Sequence, residues 1–253
     1  MQKLEDRGEI KNMIRKIFRK IIYGYKSSSN AFVCKLRKKG VTIGENCTFY
    51  SPVETFLDMQ YPWMIEIGNN VRVSRGVTIL THDYSWSVLR DYNDYNSQIE
   101  KDNILGSSGK VTIGNNVFIG MNVIISKNVV IGDNVVIGAG SVVTKDCPSN
   151  GVYAGNPAKL ISSVQDFYVK REKKQLKEAK ELGLMYYKKY KVLPPKDIFF
   201  EYFFLFENND EKLPRNIKKQ LRLENNENTI KYFKNHKTVF KNYEEFLEFI
   251  FNE

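Results

Sequence analysis

The 253-residue sequence is poor in histidine, with two, and in cysteine, with three. An odd cysteine count without metal-site spacing argues against a disulfide framework and fits a reducing compartment, so a cytoplasmic location is expected. No run approaches the roughly 18–20 apolar residues of a membrane-spanning helix. The N-terminus interleaves charged and apolar residues where a secretory signal has a continuous apolar stretch. Acidic residues are scarce in one place: residues 1–40 hold twelve Lys/Arg against three Asp/Glu, and the other 213 residues hold 27 against 26. The net charge of +10 therefore belongs to one segment, which argues against a nucleic-acid-binding chain. With 42% hydrophobic and 27% charged residues, the remainder has a globular composition.

What the chain has in abundance is a six-residue repeat. From Ile113 it reads "IGNNVF IGMNVI ISKNVV IGDNVV IGAGSV VTKDCP", and the same register appears in "IGNNVR VSRGVT ILTHDY" from Ile67 and "IGENCT FYSPVE" from Ile43. Such internal repetition outranks other sequence signals. Side chains alternate across a strand, so the large aliphatic residue at position one and the small residue at position five both point inward. The Gly-Asn and Gly-Asp pairs are expected to supply the positive φ for a sharp turn every six residues. Three such strands close a triangular coil, and stacked coils bury a continuous aliphatic column. Cys47 and Cys147 fall at position five, as small core residues; Cys34 lies outside the repeat.

The repeat breaks at "ILTHDY" (79–84). From Asp83 to about Gly109 an irregular excursion carries Tyr84, Trp86, Tyr92 and Tyr95. A long excursion in a compact fold is usually functional, and His82 stands at its root. An imidazole with an ordinary pKa near 6.5 can take a proton from a hydroxyl at neutral pH; the plainer role is an anchor for loop carbonyls. A second irregular patch, "VETFLDMQYPWM", occupies 53–64.

The hexads, the "THD" at the loop root and the ending "VIGAGSVVTKDCPSNGVYAGNPAKLI" (136–161) resemble the hexapeptide-repeat acyltransferases, nearest to the surface-polysaccharide, galactoside and maltose O-acetyltransferases. The "AGNPAK" turn (154–159) is the most specific marker, and the likeness covers about 41–162. The resemblance implies a mainly β protein: a left-handed parallel β-helix over 41–164, a basic helical segment over 1–40 and a helical extension over 165–253. It implies a homotrimer that binds acetyl-CoA between neighbouring solenoids, with His82 as general base. Met121, Ala139, Thr144, Lys145 and Lys159 match cofactor-contacting positions, although each lysine also reads as a solvated surface residue. Glu54 and Asp58 match polar groups that hold the acceptor. Asp83 either orients the imidazole, steers the acceptor or is a turn aspartate, and Trp86 either stacks on a sugar or anchors the loop. Phe118 replaces the family's usual Trp, and Ser162 a basic residue of the galactoside type.

The implied reaction is transfer of an acetyl group to a sugar hydroxyl of a surface polysaccharide or its precursor. N-acetylation of an amino sugar or antibiotic uses the same base, and a non-catalytic scaffold would keep the hexads alone. The γ-type carbonic anhydrases of this fold need three histidines at zinc, and only His82 lies in the solenoid, so no metal is expected.

In the flanks, Ile10, Met13, Ile14, Ile17, Phe18, Ile21 and Ile22 share one helical face, with Lys11, Arg15, Lys16, Arg19 and Lys20 around it. This basic amphipathic helix either caps the open end of the solenoid or contacts an anionic membrane peripherally. "SSSN" (27–30) marks a hinge or helix start. After about 164 the pattern turns helical, stops at "LPP" (193–195), passes an aromatic segment at 196–207, and ends in a helix at "NYEEFLEFIF". His236, in a charged stretch, reads as a plain surface residue.

Overall fold

The computed structural model describes residues 2–90, 105–208, 213–214, 217 and 227–252; Tyr92 and Tyr95 lie outside them. The chain forms two compact units, residues 1–165 and 166–253.

The first unit is a three-sided prism of parallel coils. One face holds β1 (Thr42–Ile43), β4 (Ile65–Ile67), β7 (Val111–Ile113) and β10 (Val129–Ile131). A second holds β2 (Thr48–Phe49), β5 (Arg72–Val73), β8 (Phe118–Ile119), β11 (Val136–Ile137), β13 (Gly151–Ala154) and β14 (Lys159–Ser163). The third holds β3 (Phe56–Leu57), β6 (Thr78–Ile79), β9 (Ile124–Ile125) and β12 (Val142–Val143). Among the described residues the named strands all pair in parallel except in the closing β13–β14 hairpin. The register links each hexad to its equivalent one coil on: Ile67 lies opposite Ile113, Ile79 opposite Ile125, and Ile125 opposite Val143.

The core is the predicted column. Ile65, Ile79, Ile119, Ile125, Ile131 and Ile137 are fully buried, with Val71, Val77, Val117, Val123 and Val129 in the small slots. Each buried aliphatic side chain contributes about 1.5–3 kcal/mol relative to exposure. Of the fifth-position cysteines, Cys147 is buried and Cys47 partly so.

The turn works differently from the expected scheme. Positive φ falls on hexad position four, at Asn46, Asn70, Asn116, Asn122, Asn128 and Asn134, and at Gly76 and Gly140. Asparagine tolerates the left-handed region better than other side-chain-bearing residues. The second-position glycine has another task. A Cβ on Gly120 would stand 2.6 Å from the Ala139 amide nitrogen of the next coil. Glycine there lets the coils close to ladder distance.

The open end of the prism is capped by α2 (Ser29–Lys38), not by the preceding α1 (Gln2–Tyr23). Phe32, Val33 and Leu36 of α2 enter the solenoid core, and Phe32 meets Phe49 edge-on at 5.1 Å. Ser28 caps α2 by accepting the Ala31 amide. The described apolar residues of α1, from Met13 to Ile22, are exposed. The capping role expected of 10–22 thus belongs to the helix that begins within 27–30, the stretch read as a hinge or helix start, because α2 follows the chain directly onto coil one.

The second unit contains α3 (Val164–Tyr190), α4 (Glu227–Asn235) and α5 (Tyr243–Phe251). Its core is aromatic: Phe199, Phe203, Phe206, Phe233, Phe240, Tyr243 and Phe246 are buried together. Asn242 caps α5 by accepting the Glu245 amide at 2.8 Å. His236 is not a plain surface residue. It is half-buried, with Nε2 2.6 Å from the Phe204 carbonyl, Nδ1 against the Phe233 carbonyl, and its ring stacked on Phe233.

Candidate active site

The left-handed fourth residue is missing from three described hexads, where Pro52, His82 and Asp146 stand. At the first two the chain leaves the repeat. Each falls at or beside a corner of the face formed by β3, β6, β9 and β12, and the site is built there.

Asp58 follows β3 and lies one coil from His82, which follows β6 by way of Thr81. Its side chain is 4% exposed. Oδ1 accepts the Gln60 amide at 3.0 Å; Oδ2 accepts the Thr81 amide at 3.0 Å and the Thr81 hydroxyl at 2.6 Å. The remaining partner of Oδ2 is His82 Nδ1. Burial pushes the Asp58 carboxyl upward, but the Thr81 hydroxyl and the Gln60 and Thr81 amides outweigh it and hold the pKa below its ordinary value. An ionised carboxylate only accepts hydrogen bonds, so the proton of His82 resides on Nδ1 and Nε2 keeps its lone pair. This differs from the expected placement of Asp58 against an acceptor, since its oxygens are committed to Gln60, Thr81 and the Nδ1 edge of His82.

The imidazole is neither sealed in the aliphatic core nor loose, with 18% of its side chain exposed. Tyr61 and Tyr84 meet it edge-on, at 5.7 and 5.1 Å between centroids. Tyr84 Oη donates to Gln60 Oε1 at 3.2 Å. Trp86, in the 3₁₀ turn Ser85–Arg90, is half-buried and lies 6.1 Å from Tyr84.

The root of the excursion is clasped. His82 bridges Ser108 in antiparallel fashion, the Gly109 amide donates to the Thr81 carbonyl at 2.8 Å, and the Asp83 amide to the Ser107 carbonyl at 3.2 Å. Asp83 pairs with Lys127 at 2.5 Å and accepts the hydroxyls of Ser85 and Ser107. The Lys127 ammonium, then the Ser85 donors, hold its carboxyl far below the usual range. Asp83 therefore ties the loop to the next coil, and Asp58 orients the imidazole.

Glu54 lies at the other end of β3. It pairs with Arg75 at 2.7 Å and accepts the Ser51 hydroxyl at 2.6 Å, so within one chain it is not brought to His82. The expected cofactor residues border the same prism face. Met121 and Ala139 occupy the corner before β9 and β12, where Gly140 donates to the Met121 carbonyl at 2.7 Å. Thr144 and Lys145 occupy the corner after β12, on the His82 side. Lys159 opens β14, opposite Ala154, just after the turn whose Ala158 amide donates to the Val142 carbonyl at 2.8 Å. Ala139, Thr144, Lys145 and Lys159 are exposed, and Met121 is 47% exposed. Tyr61, Thr81 and Lys127 were not singled out from sequence. Lys127 stood in an ordinary third position, and only the stacking of coils brings it to Asp83.

Residues 110–145 match the family model for the bacterial transferase hexapeptide, six repeats. Protein CapG of Staphylococcus aureus is 39% identical over 137 residues, 54% of this chain and 73% of CapG. The putative acetyltransferase YvoF of Bacillus subtilis is 34% identical over 116 residues, 46% of this chain and 58% of YvoF. A solved maltose O-acetyltransferase from Clostridium difficile shares 32% identity over 53% of this chain and 75% of that one, with a TM-score of 0.35. Its repeat, its stacked prism and its likeness to CapG agree: the chain belongs to the hexapeptide-repeat bacterial transferases, and its prism is their left-handed parallel β-helix.

Proposed function

We propose that the protein transfers an acetyl group from acetyl-CoA to a sugar hydroxyl of a surface polysaccharide or its precursor, directly within a ternary complex of a homotrimer. The observation that carries this reading is the Asp58–His82 pair at the edge of an open prism face. With Nδ1–H held by Asp58, Nε2 is the free base. The acceptor hydroxyl gives its proton to Nε2 as its oxygen attacks the thioester carbonyl. The imidazolium, stabilised by the Asp58 carboxylate, returns that proton to the departing thiolate. Such a base contributes about 10²–10⁴-fold.

The bordering face suits the second substrate. Ile124 and Phe56 present apolar surface outward from it, against which a pantetheine arm can lie. Among the described residues Lys145 and Lys159 have no carboxylate partner, so both are available to phosphates. The name of YvoF, a putative acetyltransferase, supports acetyl as the group moved.

The test is incubation with labelled acetyl-CoA and glycan fractions. Label is expected in an alkali-labile ester on sugar, and His82→Ala is expected to lower transfer by about 10²–10⁴-fold with the fold intact. Transfer within a few-fold of wild type would remove His82 as base, and label confined to amines would replace the ester reading with amide formation.

A further inference from the structure

None of the described side chains of the first helix enters the core of the prism. Met13, Ile14, Ile17, Phe18, Ile21 and Ile22 of α1 are each 46–74% exposed. At 100° per residue they form one continuous stripe. Arg15 borders it on one side and Lys20 on the other, and Lys16 and Arg19 lie on the far face. Residues 10–23 contain no Asp or Glu. A contiguous exposed apolar stripe marks an interaction surface.

We propose that α1 docks the protein on an anionic membrane surface, lying along the boundary of headgroups and acyl chains with its stripe inward. Charge selects this occupant. Two copies of residues 10–23 laid stripe to stripe would bring the Arg15 and Lys20 borders of one alongside those of the other, with no acidic residue in that segment to answer them. Anionic headgroups neutralise the same cations while the acyl region takes the stripe. A nucleic acid would answer the charge but leave the stripe in water. Lys35 and Lys38 of α2 and Lys39 just after it, all exposed, add to the positive charge of the N-terminal segment. Among the described residues no helix is long and apolar enough to cross a membrane, so the contact is peripheral. The proposal is independent of the transfer reaction.

The experiment is flotation of the full-length protein with vesicles of phosphatidylglycerol and phosphatidylethanolamine, and with vesicles of phosphatidylcholine alone. Flotation is expected with the anionic vesicles only, weakening as salt rises from about 0.1 to 0.5 M. Each cation at the surface is worth roughly five-fold in partition, so Arg15→Gln and Lys20→Gln together, the two that border the stripe, should weaken it about 25-fold. Ile17→Gln with Ile21→Gln should abolish it; circular dichroism checks that both variants stay folded, and the exposed charge variant stands alone if the other misfolds. Two results would overturn the proposal: no flotation with the anionic vesicles, which together with a loss of sedimenting mass in the Ile17/Ile21 variant would assign the stripe to contacts between copies, or flotation indifferent to the charge variant.

Discussion

At the scale of single side chains, the site turns on which nitrogen of His82 carries its proton. Asp58 decides that, and an amide in its place would carry no charge to stabilise the imidazolium and would set an N–H against the Gln60 or Thr81 amide that the carboxylate now accepts. Asp58→Asn is therefore expected to lower acetyl transfer by about 10²-fold or more with little change in the acceptor KM, a split that an acceptor-binding carboxylate would not produce. The same residue fixes an acid limit. Its folded pKa lies below the ordinary 3.8, so its contribution to stability is present above about pH 4 and fades as pH falls through the folded value. In melts from about pH 6 down to pH 3, the gap in Tm between wild type and Asp58→Asn should narrow, and a gap independent of pH would contradict the ionised, buried carboxylate.

At the scale of the coil, two positions carry the geometry for different reasons. Position four needs the left-handed backbone: Asn122 has φ 57°, so Asn122→Gly should be nearly neutral and Asn122→Val should cost about 1–2 kcal/mol. Position two needs empty space. Gly120→Ala places a methyl 2.6 Å from a neighbouring amide nitrogen, and an overpacking cost of about 1–3 kcal/mol is expected. Denaturant titration of the three variants checks the division; a neutral Gly120→Ala would mean that the coils can spread. The period was plain in the sequence, but Gly and Asn are both common turn residues, and their tasks separate only when one coil lies on the next. Pro52 and His82, each replacing the usual Asn or Gly, were a readable sign of where the chain leaves the coil.

At the scale of the whole molecule, the chain carries two cores of different make. The prism repeats one aliphatic layer, while the second unit is closed by aromatics, with Phe199 and Phe246 edge-on at 4.9 Å. Phe246 is fully buried, and Phe246→Ala should cost that unit about 3–5 kcal/mol, read by near-ultraviolet dichroism. An unchanged transition would mean the cluster contributes little. The first and last helices of this unit could be read from their pattern and from the stop at 193–195, whereas α4 (Glu227–Asn235) was not read. Its aromatic contacts and the burial of His236 could not, because no repeat predicts which rings meet.

The sequence by itself determined the prism, since each hexad carries its own turn residue and its own inward pair and so needs only a copy of itself above and below. It also marked the break at His82 and the amphipathic character of α1. The tertiary structure alone decided that Asp58, 24 residues from His82, meets its Nδ1, that Asp83 answers to Lys127, and that α2 rather than α1 closes the open end. Those outcomes depend on how irregular segments of unequal length return to the next coil. Contacts between coils follow from that return path, which local periodicity does not encode.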